Sequence, residues 1–140
     1  MKRTIFFTAA FLSFLGLMES RAQNMQNNRN MEKLKLTEEW DKTFPKSDKV
    51  DHSKVTFVNR FGITLAADLY VPKIAVADKF PAIAVSGPFG AVKEQSSGLY
   101  AQTLAERGFL TIAFDPSFTG ESSGQPRSVA SPDINTEDFS

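Results

Sequence analysis

With 140 residues, 41% of them hydrophobic and 13 of them Phe, the chain has apolar material for roughly one globular domain. Its 16 basic and 16 acidic side chains cancel, which leaves no basic field for a phosphate backbone or an anionic bilayer, so a nucleic-acid partner is not expected. The absence of cysteine excludes disulfides, thiolate metal sites, a cysteine nucleophile and a lipoprotein anchor within these residues.

Lys2 and Arg3 precede an apolar run from Ile5 to Met18, and Ser20-Arg21-Ala22 follows with small residues at its first and third places. That is the layout of a secretory signal peptide over residues 1–22, cleaved after Ala22. The run is shorter than the roughly 20 apolar residues that span a bilayer, so no stable membrane anchor is expected and export to a periplasm or the medium is. Residues 23–36 open with an Asn- and Gln-rich stretch that has nothing to bury and read as a flexible lead. Residues 37–140 then form one domain portion. Thr37-Glu38-Glu39-Trp40 reads as a capped helix start that Pro45 stops, with Trp40 and Phe44 sharing a face that docks on the domain.

Lys54–Phe61 and Ile63–Val71 are rich in β-branched residues and flank Asn59-Arg60-Phe61-Gly62, which predicts an antiparallel hairpin closed by Pro72. His52 lies upstream of it and is expected on the surface. Ala82–Ser86 is a short apolar run of the kind that forms a strand covered on both faces. Leu99, Ala101, Thr103, Leu104 and Ala105 follow at helical spacing, Gly108 supplies a left-handed stop, and Leu110–Phe114 is a second buried strand. Strand, helix and strand form a crossover unit, so the expected fold class is α/β, a leading antiparallel hairpin feeding a mostly parallel sheet. Asn135-Thr136-Glu137-Asp138 reads as the start of a last helix.

Ligands of parallel sheets bind outside the carboxyl ends of the strands, where two loops lie here, Ser86-Gly87-Pro88-Phe89-Gly90 and Asp115 to Gly124. Pro81 to Gly90, Lys93 to Gly108 and Phe109 to Arg127, in this order, resemble the N-terminal part of an alpha/beta-hydrolase. The helix opening Val92-Lys93-Glu94-Gln95 and the loop Gly120 to Arg127 look most like its dienelactone-hydrolase-like, uncharacterised bacterial branch. The resemblance implies that the first loop supplies an oxyanion donor to an acyl-transfer site. Pro88 has no N–H, so the backbone donors are Phe89 first and Gly90 second. Asp115 is expected to cap local backbone donors and is not carried over as the triad acid.

Gly120-Glu121-Ser122-Ser123-Gly124 spells the nucleophile-elbow pattern, but Pro116 to Thr119 separates it from the strand and Gln125-Pro126 follows where a helix should. Ser122 is therefore not expected as nucleophile, and His52, the single histidine, stands on the wrong side of it in chain order. The resemblance places nucleophile, acid and histidine beyond Ser140, in a chain truncated before the elbow, with a small-molecule acyl substrate such as an ester or lactone. No cofactor and no metal are expected: the glycine turn lacks dinucleotide spacing, and one His with no Cys offers no ligand cluster. The alternative is a non-catalytic exported binding module or an inactive truncated product.

Overall fold

A computed structural model describes residues 31–73 and 79–140, of which Glu32–Ser140 form one compact unit. The signal peptide and most of the lead expected ahead of it lie outside the described residues. Within the unit, β1 (Val50–Val58), β2 (Thr64–Pro72), β3 (Ala82–Val85), α1 (Ser96–Ala105), β4 (Leu110–Phe114) and α2 (Pro132–Glu137) follow one another. The sheet runs β1-β2-β4-β3.

β1 and β2 pair antiparallel from Val50 opposite Pro72 to Val58 opposite Thr64. Asn59 closes their connection: its N–H donates to the Ile63 carbonyl at 3.0 Å, and its Oδ1 accepts the N–H groups of Phe61 and Ile63 at 3.0 Å. Gly62, at φ +78°, takes the left-handed position that this turn requires. β2 also pairs antiparallel with β4, and only β3 with β4 is parallel. The described sheet is thus mixed and not mostly parallel, because the strand after the helix inserts between β2 and β3.

Alternation along the strands gives each face its own core. On one face Val50, Tyr70 and Ala113 meet Ala101 and Ala105 of α1, with Trp40 and Val85 against them. On the other Leu65, Ala67 and Phe114 pack with Val55, Phe57, Ile63 and Ile112. β3 is less covered than its apolar letters suggest, since Ala82 and Ala84 are exposed.

The helical periodicity expected of Leu99 is not realised. α1 turns Ser97, Gly98, Ala101, Gln102 and Ala105 inward, and Leu99 and Tyr100 outward. A Cβ on Gly98 would overlap the Lys93 carbonyl oxygen and stand 3.1 Å from Phe44 Cζ and 3.2 Å from Tyr70 Oη, so the backbone before the helix and its neighbours leave no room for a side chain there. Gly108, at φ +98°, ends the segment.

No helix forms over Thr37–Pro45; the segment is irregular, with bends at Glu39 and at Thr43–Phe44. Its donors serve other parts of the molecule: the Thr37 N–H reaches Glu121 Oε1 at 2.6 Å and the Thr43 N–H reaches the Glu94 carbonyl at 3.0 Å. Trp40 Nε1 donates to the Phe44 carbonyl at 2.8 Å, and the two rings meet edge to face at 5.7 Å. Docking through Trp40 and Phe44 thus occurs from a strap. The last helix begins three residues before Asn135, with Pro132 in its first turn after Ser131. Asp138 caps no helix N-terminus; its carboxylate accepts Asn59 Nδ2 at 2.8 Å and the N–H and Oγ of Ser117 at 2.8 and 2.7 Å.

Candidate functional site

The turn after β3 and the loop after β4 meet at one buried carboxylate. Asp115 Oδ1 accepts the backbone N–H of Lys93 at 2.7 Å, while Oδ2 accepts Lys93 Nζ at 2.8 Å and the Glu121 N–H at 2.9 Å. Gly120 is obligatory beside it, because at φ +52° any Cβ would overlap the Asp115 carboxylate. Asp115 therefore caps a local donor as expected. It also pins Lys93, in the turn between the Ser86–Gly90 loop and α1, which its loop position did not announce.

Lys93 is fully buried, and its ammonium also pairs with Glu94 and, at 2.7 Å, with Glu121. Burial alone would lower its pKa; the three carboxylates outweigh it and hold the lysine charged, above its ordinary range. Glu121 is further held by Lys54 at 2.8 Å. Burial raises the Glu121 pKa, but hydrogen bonds from Lys54 and Lys93 and from the Thr37 N–H bring it down to about 2. The chain of charges continues under the strap through Lys54 to Asp41 at 3.0 Å, Asp41 to Lys42 at 2.7 Å, and Lys42 to Asp68 at 3.1 Å.

The elbow-like letters serve structure. Ser122 Oγ donates to the Asp115 carbonyl at 2.7 Å and accepts the Ala66 N–H at 2.9 Å, so its proton and a lone pair are both engaged with backbone. Ser123 Oγ accepts the Thr64 N–H at 2.9 Å, and its own N–H donates to the Thr64 carbonyl at 2.8 Å. Gly120–Gly124 thereby extends the pairing of β2 past the end of β4. Arg127 secures it by donating to the carbonyls of Gly120 and Ser122.

His52 is neither exposed nor upstream of the hairpin. It lies in β1 opposite Tyr70, and its Nε2 is 2.7 Å from Asp68 Oδ1. The expectation failed because β1 begins four residues before Lys54, which puts His52 on the face covered by the strap, where Trp40 stacks edge to face on it at 5.1 Å.

In the first loop the Ala91 N–H closes a turn onto the Pro88 carbonyl at 3.0 Å, and Gly90 adopts φ +82°. The N–H groups of Phe89 and Gly90 have no acceptor among the described residues. The loop lines a cavity of about 270 Å³ together with Phe114, Pro116, Thr119, Val129, Ala130, Asn135 and Phe139. None of its lining side chains is ionisable. Among the described residues no group of three His, Asp or Glu side chains could hold a metal ion, and no residue joins a free nucleophile to a base.

No family model matches the chain. It is 67% identical over 94% of its length to the uncharacterized protein PA2218 of Pseudomonas aeruginosa, of which it covers 36%. It is 48% identical over 64% of its length to the uncharacterized protein YcjY of Escherichia coli, covering 30% of that protein. The thiohydrolase aneE of Aspergillus aculeatus is 32% identical over 63% of this chain, which covers 26% of it. The chain thus spans about a third or less of the curated relatives it matches. Among solved structures, the crystal structure of PA2218 superposes with a TM-score of 0.75 at 76% identity, over 77% of this chain and 34% of that one. The alpha/beta hydrolase GrgF from Penicillium sp. sh18 does so with a TM-score of 0.56 at 26% identity, over 64% of this chain and 29% of that one. The mixed sheet with its helices is therefore an alpha/beta-hydrolase-like fold.

Proposed function

We propose that this chain is the N-terminal part of an exported hydrolase that cleaves an ester, lactone or related acyl bond by nucleophilic acyl transfer. Its branch is the dienelactone-hydrolase-like one. The observation that carries the reading is the turn at Phe89 and Gly90: two acceptor-free N–H groups beside an apolar cavity, at the carboxyl end of β3. When a nucleophile attacks an acyl carbonyl, charge develops on the carbonyl oxygen, and each well-placed backbone donor there lowers the barrier by about 3 kcal/mol. Collapse of the tetrahedral intermediate expels the alcohol or thiol, which takes up the proton that the nucleophile gave to its base. Water then releases the acid by the same route.

The nucleophile, acid and base come from residues beyond Ser140 in this reading, because Ser122 and His52 are committed to Asp115, Ala66 and Asp68. The relatives' greater length and the hydrolase names of aneE and GrgF support it. The test is to express the complete coding region, measure the intact mass of the mature product and treat it with a phosphonylating probe and a thiol-directed one. We expect one covalent adduct per chain on an activated Ser or Cys. A folded product that takes up neither probe would overturn the enzymatic reading in favour of a non-catalytic binding module.

A further inference from the structure

We infer that Lys93 is a positioning residue for the Phe89–Gly90 turn: through its two bonds to Asp115 it sets where the N–H groups of Phe89 and Gly90 point. This deepens the hydrolase reading and rests on it for the reaction those groups serve. Both ends of the turn are tied to β4 or to the residue that follows it. Val85, before the turn, lies opposite Ala113 in the parallel ladder of β3 with β4. Lys93, after it, is held at Asp115 by its N–H at 2.7 Å and its Nζ at 2.8 Å. Within residues 86–92, among the described residues, the only backbone hydrogen bond runs from the Ala91 N–H to the Pro88 carbonyl, at 3.0 Å. The turn is folded closely there, since a Cβ on Gly87 would lie 2.9 Å from Ala91 Cβ.

A turn with one internal bond takes its orientation from its ends. Misplacing a reacting group by about 1 Å costs about 100-fold in rate, so a small tilt at Lys93 is enough to mis-aim both donors. The charges around Lys93 oppose such a tilt. Its ammonium meets Glu94 and, at 2.7 Å, Glu121, and Glu121 is gripped in turn by Lys54 at 2.8 Å and by the Thr37 N–H of the strap at 2.6 Å. Stability alone does not account for the cluster, because apolar side chains of the same volume commonly hold a core as well as buried ion pairs do. Nor does its field. The ammonium groups of Lys54 and Lys93 face the three carboxylates of Glu94, Asp115 and Glu121, which leaves no positive excess to attract a developing oxyanion. What the cluster supplies is a fixed place for the backbone at Lys93.

Lys42 provides the comparison. Its side chain is as fully buried as that of Lys93, and its ammonium pairs with Asp41 at 2.7 Å and Asp68 at 3.1 Å. Among the described residues, the other charged partners of those two carboxylates are Lys54 and His52, not Lys93. Losing either ammonium strands buried carboxylates and lowers stability. Only the loss of Lys93 should move the turn.

The test uses the product of the complete coding region and whichever of the phosphonylating and thiol-directed probes labels it. Labelling is followed over a range of probe concentrations, so that the rate at saturation and the half-saturating concentration are read apart. Lys93→Met should slow labelling at saturation about 100-fold and change the half-saturating concentration by less than about threefold. Amide exchange at Ala91, whose N–H closes the turn, should quicken about tenfold. Lys42→Met should lower the melting temperature and leave both the labelling rate and the Ala91 exchange as in the parent. Glu121→Gln keeps the Asp115 bonds and loosens one side of the ammonium; it should slow labelling about tenfold, and it stands in if Lys93→Met does not fold. Equal slowing by Lys42→Met, or a parental rate in folded Lys93→Met or in its stand-in, would overturn the inference. The hydrolase reading is judged apart. If the parent takes up no probe that reading falls, and Ala91 exchange in the same variants decides the role of Lys93: quickening no greater than in Lys42→Met would sink it.

Discussion

Asp115 accepts three donors at once, two of them from the backbone and ammonium of a single residue, Lys93. Removing one partner of a buried ion pair strands the other, at a cost of about 3–5 kcal/mol. Lys93→Met should therefore reduce stability by about that amount, as read from urea unfolding midpoints. Asp115→Asn should cost about as much although the lysine keeps Glu94 and Glu121, because whichever way the amide turns its NH2 faces an N–H donor that the carboxylate accepted. An Asn variant as stable as the parent would mean that this carboxylate is not what holds the two loops. Sequence logic reached Asp115, because Asp before a glycine-rich turn commonly caps its own loop. It missed Lys93, whose partner lies 22 residues away and leaves no trace in local spacing. The rejection of the Gly120–Gly124 letters was legible, since a strand running directly into the serine was absent.

At the level of elements, the strands and the long helix were readable from apolar runs and turn residues, but the inward face of α1 was not. Periodicity identifies which residues share a face and favours the larger apolar ones as the buried set. Here the Lys93 carbonyl, with Phe44 and Tyr70 behind it, selects Gly98, and Ala101 and Ala105 share its buried face. Gly98→Ala tests this. Helix propensity alone predicts a gain of about 1 kcal/mol, whereas overpacking predicts a loss of about 1–3 kcal/mol. We expect the loss, as a lower melting temperature; a gain would show that the helix can shift outward freely. The strap over residues 37–45 misled for a related reason. Its Thr and Glu residues spell a helix start, yet its N–H groups and carboxylates are used by Glu94, Glu121 and Lys54, partners invisible until the chain is folded.

For the molecule as a whole, the charges under the strap set the acid limit of stability. Burial raises Asp41, but hydrogen bonds from Lys42 and Lys54 outweigh it and bring it from 3.8 to about 2; Glu121 falls from 4.5 to about 2. A depressed carboxylate stabilises the fold fully above its unfolded value, and that contribution disappears as pH falls through the folded one. Stability should thus be level above about pH 5 and drop between about pH 4.5 and 2. Lys54 and Lys93 are raised, so their contribution persists to alkaline pH and is lost only above their ordinary 10.5. Melting temperatures measured from pH 2 to 8 check the acid limb. A melting temperature unchanged down to pH 3 would exclude Asp41 and Glu121 as its origin.

The order β1-β2-β4-β3 also fixes what the site turn depends on. The β1–β2 hairpin closes between neighbouring strands, whereas β3 is paired among the described strands through β4 alone. The turn carrying Phe89 and Gly90 follows that strand directly, so loss of the single parallel ladder to β4 would free both N–H groups while the hairpin stays closed.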